Sequence, residues 1–551
     1  MYASQAAPVM TTAQEEPVCL RAVSVRAKVH DLLSQTRVTQ VYENSESGPI
    51  ETVYTFPLPV DGVLTGVEVK IGDRELLGRA VEKRAAEKEY EERLGQGDSP
   101  VMLERLESGL YTLNVGNLLP GERAEITVEF VEVLRVARGE VRYELPTTLG
   151  VWYGSPEAMG FEPHQVPEHS LFADNRFSFE MDITGLLAGT GVSSSSHQVQ
   201  VAAKEDGVRV SLSRDLARMD RDFVLTMEAG SISPHFAVSA PMEEGYVVLA
   251  GFTPEHIEAR EAVGRSVKIV VDCSGSMAGI SMAQAREGVL RILDRLEPQD
   301  RFNLILFGSK SRQLFPGQVP AGGEYLDTAV QTARTMDADM GGTEMAAALT
   351  RAVSSAGSGE LERDILLLTD GDIYDRKKVF RAVAGTGHRV FPIGVGSAPS
   401  HALLIGLAQK SGGASMCVAP DEEMGRKMLD HFKRMRFSPV RGATLEFSEG
   451  RPESMLPSTM PGIYSGDTVL AWARFQHRPE GTCSLVLPLE DGERRLEARI
   501  QDAREWAELL PRLEAQARIE SGLLTEPEAV ELAVRHNLVS EYTNYLAVVE
   551  R

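Results

Sequence analysis

The chain has little of several features that mark particular classes of protein. Its 551 residues include only four cysteines, Cys19, Cys273, Cys417 and Cys483, and no two of them form a CxxC pair. This scarcity argues against a disulfide framework and favours a reducing compartment. No run approaches the roughly 18 apolar residues of a transmembrane helix, and the N-terminus lacks the basic and apolar regions of a signal peptide. We therefore expect a cytoplasmic protein without a membrane span.

Basic residues are also in deficit. The chain has 57 lysines and arginines against 80 aspartates and glutamates, and its net charge is −23. Nucleic acids and anionic membranes require basic patches, so neither is expected as the main partner. The sequence also lacks a Walker loop and the HxxxH and HExxH spacings. These absences leave a soluble protein that binds cations or basic surfaces.

The length predicts about three to four domains, and the first region is rich in β patterns. Residues 1–17 are small and polar, so a flexible lead is expected there. Residues 18–148 contain short runs of alternating apolar and polar residues, punctuated by Gly, Pro, Asn and Asp, which is typical of an antiparallel β-sandwich. One segment, Glu82–Leu94, is instead rich in helix formers with i,i+4 charge pairs, and it predicts a water-facing helix over the sandwich.

Four motifs in this first region occur in a characteristic order. They are YEN at Tyr42–Asn44, IETVYTFPLP at Ile50–Pro59, EKRA at Glu82–Ala85 and VGNLLPGE at Val115–Glu122. Their order and spacing resemble the VIT domain, which is named for vault proteins and the inter-alpha-trypsin inhibitor heavy chains. The prolines end a strand and the PGE segment is turn chemistry, so these motifs are structural and nominate no catalytic residue.

Further β patterns occur on both sides of a central region. Residues 149–263 and 438–501 are rich in period-two runs, whereas residues 264–437 alternate between apolar strands and helical patterns. We expect a single β-sandwich in two parts with the central domain inserted in one of its loops, an arrangement similar to heavy chains and integrin β subunits. Residues 502–551 predict a helical tail that ends in a strand.

The central region predicts a doubly wound parallel sheet. Its strand candidates are continuous apolar runs, as expected for strands that are buried on both faces, and helical segments separate them. The candidates are SVKIVVD, RFNLILFG, RDILLLTDG, HRVFPIGVG and the weaker ASMCVA.

Oxygen-bearing side chains follow three elements of this region. Asp272, Ser274 and Ser276 come directly after the first strand, Thr343 lies in a glycine loop before a helix, and Asp370 ends another buried strand. Ligands of open α/β sheets bind at the carboxyl ends of the strands, so these side chains are expected to converge. Carboxylate and hydroxyl oxygens suit Mg²⁺.

The motifs DxSxS, GGTxM and TDG occur here in an order and spacing that resemble the von Willebrand factor A domain with its metal-ion-dependent adhesion site. The resemblance implies that Asp272, Ser274, Ser276, Thr343 and Asp370 hold Mg²⁺, or Mn²⁺ or Ca²⁺, and that a carboxylate from a partner protein completes the ligand shell. Cys273 lies between two of these residues and is expected to fill the core rather than bind metal.

The resulting hypothesis is a scaffold or adaptor that binds proteins through a metal, not an enzyme, and resembles a bacterial-type inter-alpha-trypsin inhibitor heavy chain. A first alternative is a structural protein whose metal site grips an acidic residue of a neighbouring copy. A second is a metal-dependent hydrolase like the haloacid-dehalogenase phosphatases. Those enzymes need a second acid two residues after the first aspartate, where this chain has Ser274, and a lysine between Thr343 and Asp370, where it has none.

Overall fold

The computed structural model describes most of the chain. The described residues are 7–8, 11–12, 19–107, 109–137, 139–148, 152–153, 169–170, 175–229, 235–257, 264–355, 361–373, 375–420, 422–503 and 505–550. The expected flexible lead at residues 1–17 lies outside them, apart from the two-residue strands Ala7–Pro8 and Thr11–Thr12. Within these ranges, no helix has both the length and the apolar composition that crossing a membrane requires.

Two β-sheets that share one apolar core form the N-terminal half. The larger sheet has nine strands, of which eight follow one another in space. These are Val199–Lys204, Gly207–Leu212, Arg176–Thr184, Cys19–His30, Leu33–Glu43, Arg123–Val133, Val63–Ile71 and Arg74–Leu77, and Ala217–Arg218 pairs with Arg176–Thr184. The smaller sheet contains, in spatial order, Thr11–Thr12, Ile50–Pro57, Leu110–Leu118, Ser99–Glu107, Thr543–Val549 and Arg79–Glu82.

Helix α1, Lys83–Gln96, lies on this half of the molecule. Its buried side chains Ala86 and Tyr90 contact Met102 and Leu546 of the smaller sheet. The rest of the helix is largely exposed, because its charged residues occupy the other positions of each turn. The carboxylate of Glu82 caps the N-terminus by accepting hydrogen bonds from two backbone N–H groups of the first turn.

Several strands belong to different sheets from those that their position in the sequence predicts. Arg176–Thr184 was expected in the divided sandwich, but it pairs in parallel with Cys19–His30 and extends the N-terminal sheet. Its alternate residues are buried in the N-terminal core, so this pairing covers its apolar face. Period-two patterning defines the buried face of a strand and leaves its partner open. A separate four-stranded sheet contains Val136–Ala137, Glu140–Leu145, Phe223–Glu228 and Val192–Ser193.

A seven-stranded sheet, called the second sheet below, combines strands from both sides of the central region. The chain leaves this sheet after Tyr246–Phe252 and returns to it at Thr444–Phe447. Tyr246–Phe252 pairs with Val469–Phe475, so residues far apart in the sequence are neighbours in this sheet. In spatial order its strands are Thr444–Phe447, Thr482–Leu489, Gly492–Asp502, Phe236–Pro241, Tyr246–Phe252, Val469–Phe475 and Ser454–Leu456.

The central region folds as an open sheet with helices on both faces. Its five parallel strands are, in spatial order, Arg301–Phe307, Arg265–Asp272, Glu362–Thr369, His388–Val395 and Met416–Val418, and the short strands Ser311–Gln313 and Val319–Pro320 flank Arg301–Phe307. The helices are α2 Ile280–Leu293, α3 Gly323–Thr335, α4 Met345–Ser354, α5 Arg376–Val383, α6 His401–Ser411 and α7 Met424–Arg436. Helices α2, α3 and α7 bury their apolar residues on one face of the sheet, and α4, α5 and α6 bury theirs on the other.

The C-terminal segment contains two helices and a strand. Helix α8, Leu510–Glu520, packs on the second sheet through Leu510 and Leu513, which share a cluster with Trp472. Helix α9, Glu526–Arg535, begins with a capping box formed by Thr525 and Glu528. The chain then enters the smaller N-terminal sheet as strand Thr543–Val549, so the two ends of the chain share one sheet.

Glu132, in strand Arg123–Val133, is expected to make the stability of this fold depend on pH. Its Oε2 atom is buried without a hydrogen-bond partner among the described residues. Burial, together with the charges of Asp61 and Glu144, raises the pKa of Glu132 from 4.5 to about 8. The folded protein therefore keeps a proton that the unfolded chain releases, and stability falls as the pH rises from about 4.5 to about 8.

Replacing Glu132 with glutamine is expected to remove this dependence. At about pH 9 the variant should exceed wild type in free energy of unfolding by about 1–3 kcal/mol, because no buried charge forms on folding. Denaturant unfolding at about pH 5 and about pH 9 measures the difference. Glu125 supplies the control, because it is exposed and lies in strand Arg123–Val133 together with Glu132. Glu125→Gln should leave the pH dependence of stability as in wild type. A Glu132→Gln variant with the wild-type pH slope would contradict the assignment.

Candidate metal centre

The candidate site begins at the carboxyl end of a fully buried strand. All eight residues of Arg265–Asp272 are buried between neighbouring parallel strands. A short 3₁₀ turn, Gly275–Met277, follows and leads toward α2. The β-branched and apolar residues of the strand favour this central position, and the strand carries Asp272 to the edge of the sheet.

Backbone hydrogen bonds join the residues after this strand to the loop that carries Thr343. The N–H of Met340 donates to the carbonyl of Cys273 at 3.0 Å, and the N–H of Gly275 donates to the carbonyl of Gly341 at 2.8 Å. Gly341 has a φ of 78°, and a Cβ placed on it would lie 2.7 Å from Ser309 Oγ. Glycine is therefore required at this contact, where the backbone must approach closely in a left-handed conformation.

Four of the five predicted ligands form a continuous chain of hydrogen bonds. The N–H of Ser274 donates to Asp272 Oδ1 at 2.9 Å, and the hydroxyl oxygens of Ser274 and Ser276 lie 3.1 Å apart. The hydroxyl of Ser276 donates to Asp370 Oδ1 at 2.7 Å. The structure thus brings residues that are almost a hundred positions apart into one polar cluster.

Thr343, the fifth predicted ligand, has a buried hydroxyl oxygen with no hydrogen-bond partner among the described residues. It follows Gly341, whose carbonyl bonds to the turn that carries Ser274 and Ser276. A buried polar group left without a partner costs about 1–3 kcal/mol, and such groups are rare in folded proteins. A cation that accepted this oxygen as a ligand would remove the penalty.

The two carboxylates are buried, and no positive side chain within the described ranges pairs with them. Asp272 is 0% exposed and Asp370 is 5% exposed. Burial raises the pKa of Asp272 to about 6, and burial together with the charge of Asp272 raises the pKa of Asp370 to about 7. No lysine, arginine or histidine in the described part of the chain forms an ion pair with either group. A divalent cation would offset both the desolvation and the repulsion.

The atoms available as ligands indicate which metals the site would prefer. The site contains carboxylate and hydroxyl oxygens, and the described residues contain no group of three or more His, Cys, Asp or Glu placed to hold a metal. Oxygen donors suit Mg²⁺, Mn²⁺ or Ca²⁺ better than metals that prefer imidazole or thiolate. Cys273 is fully buried among apolar side chains, and burial raises the pKa of its thiol to about 12. The residues therefore fit a hard divalent cation.

Thr369 contacts the candidate site, although the sequence interpretation did not assign it. Its hydroxyl donates to Asp272 Oδ2 at 2.7 Å, whereas Oδ1 accepts from the N–H of Ser274, so the end of a neighbouring strand holds the second oxygen. This contact orients the carboxylate, as outer partners of metal ligands commonly do. The residue stands directly before Asp370 in the TDG motif, and its position at a strand end was the only available signal.

The N-terminal half touches the edge of the sheet that carries this site. The two-residue strand Trp152–Tyr153 pairs in parallel with Asp372–Ile373, which begins two positions after Asp370. The N–H of Asp222 donates to the carbonyl of Ser397, in the loop after the strand His388–Val395. The surroundings of the candidate site are therefore formed by more than the central region alone.

A cluster of charges secures this contact. Arg142 pairs with Glu144 and donates to Glu422 Oε1 at 2.6 Å, and His401 Nδ1 lies 3.3 Å from Glu144 Oε2. Burial alone would raise the pKa of Glu144, but the charges of Arg142 and His401 lower it to about 2. Glu144 thus stays ionised and joins the N-terminal strands to the loops of the central sheet.

Two known proteins are similar in sequence to most of this chain. The von Willebrand factor A domain-containing protein 5A of Rattus norvegicus is 27% identical over 500 residues, which cover 84% of this chain and 60% of that protein. The protein mono-ADP-ribosyltransferase PARP4 of Homo sapiens is 23% identical over 571 residues, which cover 97% of this chain and 32% of that protein. The chain therefore spans 60% or less of the length of either relative.

A solved structure and two domain families are similar to parts of the chain. A von Willebrand factor type A protein from Catenulispora acidiphila matches with a TM-score of 0.33 and 18% identity, over 54% of this chain and 84% of that chain. The family model of the vault protein inter-alpha-trypsin domain matches residues 20–130. The model of the von Willebrand factor type A domain matches residues 265–417. The chain therefore combines a VIT domain with a von Willebrand factor A domain that contains all five predicted metal ligands.

Proposed function

We propose that this protein is a scaffold or adaptor that binds an acidic side chain of a partner protein through a divalent cation. The cation would be held by Asp272, Ser274, Ser276, Thr343 and Asp370. The observation that carries the proposal is the buried hydroxyl of Thr343, which has no hydrogen-bond partner in the described part of the chain and lies in the loop bonded to the turn after Asp272. A bound divalent cation would supply an electrophilic centre that an outside carboxylate can complete.

The residues of the site favour binding of a further carboxylate. Both oxygens of Asp272 and Oδ1 of Asp370 accept hydrogen bonds from the protein, so part of their negative charge is already compensated. The hydroxyls of Ser274, Ser276 and Thr343 would be neutral ligands, so they would not reduce the charge of a bound cation. The protein therefore leaves a cation incompletely neutralised, and a Glu or Asp from outside adds the missing charge.

We propose a binding role rather than catalysis, and a cytoplasmic location. The A-domain relatives support the binding role, whereas PARP4 carries an enzyme name and extends well beyond the matched region. Position 274 holds a serine where a phosphatase of the haloacid-dehalogenase type would need its second acid. Turnover of a generic phosphate ester that disappears in Asp272→Asn would contradict the binding role.

Capture of partner proteins tests the proposal. Immobilised wild-type protein should retain specific partners from a cell lysate in Mg²⁺ and release them in chelator. Thr343→Val keeps the shape of the side chain but removes the hydroxyl ligand, so it should lose the same partners. Thr328→Val is the matched control, because Thr328 lies on the exposed surface of α3 and should leave binding unchanged. Equal retention by wild type and Thr343→Val, or retention in chelator, would exclude the metal site as the contact.

A further inference from the structure

The larger N-terminal sheet ends in an exposed hairpin. Strands Val199–Lys204 and Gly207–Leu212 pair in continuous register across a two-residue turn. Val199–Lys204 is the terminal strand of the sheet, and no strand in the described ranges pairs with its outer edge. Five of its six residues are exposed, and Val201 is 46% exposed. This hairpin carries an open row of backbone hydrogen-bonding groups.

The direction of those groups follows from the pairing. The N–H of Ser213 donates to the carbonyl of Gln198 at 2.9 Å, so these residues form a hydrogen-bonded pair. Bonded and non-bonded pairs alternate along an antiparallel ladder, so Gln200 and every second residue after it bond inward to the neighbouring strand. The N–H and C=O groups of Val199, Val201 and Ala203 therefore point away from the sheet.

The same three residues extend the apolar face of the sheet beyond its cover. Val201 pairs with Val210, so both side chains lie on the same face. Val210 is 0% exposed and belongs to the main core, whereas Val201 beside it is 46% exposed. A further strand laid along this edge would cover the exposed valine and satisfy the backbone groups.

Devices that usually protect an open edge are missing here. The strand has neither a proline nor a β-bulge, and its one charged residue is Lys204. That lysine donates to Asp182 Oδ2 at 2.9 Å, so its charge is directed back onto its own sheet. Arg209 and Lys204 together lower the pKa of Asp182 to about 2, which keeps the pair ionised.

We propose that this edge pairs with the same edge of a second copy of the chain, antiparallel and with two-fold symmetry about Val201. In that register Val201 faces Val201 of the second copy, and Val199 faces Ala203. Each of these residues exchanges a pair of hydrogen bonds with its counterpart, because all of their N–H and C=O groups point outward. Lys204 faces Gln198 of the second copy, so no like charges meet across the junction.

The charge of the protein favours this location for contact between copies. The chain carries a net charge of −23, which repels a second copy over most of its surface. The strand Val199–Lys204 has no acidic residue. One short edge buries less surface than a standard protein interface, so the dimer is weak and forms reversibly. It needs no metal, which separates it from self-association through the candidate metal centre.

Sedimentation velocity in chelator, over a series from low-micromolar to near-millimolar protein, tests the pairing. Wild type should shift from monomer to dimer as concentration rises. Val201→Lys places two like charges face to face and should weaken the dimer at least about tenfold. Leu77→Lys is the matched control, because Leu77 is an exposed apolar residue at the opposite edge of the same sheet and should not affect the dimer.

Each outcome decides the proposal. Wild type that remains monomeric throughout the series overturns it, as does a dimer that survives in Val201→Lys or disappears in Leu77→Lys. Val201→Pro provides a second variant, because it removes only an outward-pointing N–H and edge strands tolerate proline. Its dimer should also weaken, while a melting temperature close to that of wild type confirms that the chain is folded. A dimer of wild-type strength in folded Val201→Pro overturns the register.

Discussion

Magnesium is expected to raise the melting temperature of this protein, and Asp272→Ala or Asp370→Ala should abolish the increase. A ligand that binds only the folded state stabilises it by about 2.7 kcal/mol at a hundred times its dissociation constant. For a unit of the size of the central region, this corresponds to a shift of about 5–10 °C. Differential scanning fluorimetry with Mg²⁺ and with chelator measures the shift.

The physical reason lies in the contents of the site. Asp272 and Asp370 are buried together without a positive partner, and the Thr343 hydroxyl is buried without a hydrogen bond within the described residues. A cation satisfies all three groups in the folded state, whereas the unfolded chain does not bring them together. The free energy of metal binding therefore adds to the free energy of unfolding.

Two further variants sharpen this experiment. Thr343→Val should reduce the shift without removing a charge, which separates ligation from a general electrostatic effect. Asp327→Ala removes an exposed aspartate from α3 in the same region and should leave the full shift. A wild-type shift in Asp272→Ala would show that the ion binds elsewhere. A parallel series with Mn²⁺ and Ca²⁺ identifies the ion that the site prefers.

Replacing Asp364 with alanine is expected to destabilise the central region by about 3–5 kcal/mol. The change leaves the buried Arg265 and the largely buried Arg389 with the exposed Glu362 as their one acidic partner among the described residues. Asp364 is 0% exposed and accepts a hydrogen bond from Arg265 Nη1 at 2.9 Å and two from Arg389, at 2.8 and 2.9 Å. The same arginines donate to the carbonyls of Met435 and Arg436 at the end of α7. Chemical denaturation that follows the central region measures the loss.

The neighbouring residue provides the control for this prediction. Arg363 precedes Asp364 on the same strand and is exposed, so Arg363→Ala should change stability by less than about 0.5 kcal/mol. Asp364 lies near the start of its strand, at the opposite end from Asp370, so the metal-induced shift should persist in Asp364→Ala. A loss below about 1 kcal/mol would show that solvent or another side chain replaces the carboxylate.

The candidate site was largely predictable because its signals are local. Asp272, Ser274 and Ser276 occupy alternate positions after a continuous apolar strand, and strand ends of a parallel sheet meet at one edge. Asp370 follows a second such strand, so its approach to Asp272 could be expected. The contact of Thr369 with Asp272 could not, because a hydroxyl at a strand end faces a carboxylate only when the pairing of two strands places their ends side by side.

The β regions were less predictable for a physical reason that also explains the interdomain contacts. Alternation in Arg176–Thr184 identified a half-buried strand, and the structure pairs it with Cys19–His30 rather than with the second sheet. The terminal strand Thr543–Val549 likewise joins a sheet formed hundreds of residues earlier. Pairing between distant strands depends on complementary edges and on loop paths, and neither leaves a local pattern.

The sequence by itself determined the order of secondary structures, the parallel sheet of the central region and the oxygen donors at its edge, because each depends on residues close together in the chain. The tertiary structure alone decided which sheet each β-strand joins, that the Thr343 hydroxyl is buried without a partner in the described chain, and that Val199–Lys204 forms an open edge. These features depend on which surfaces meet after folding, and burial and hydrogen bonding between distant segments select them.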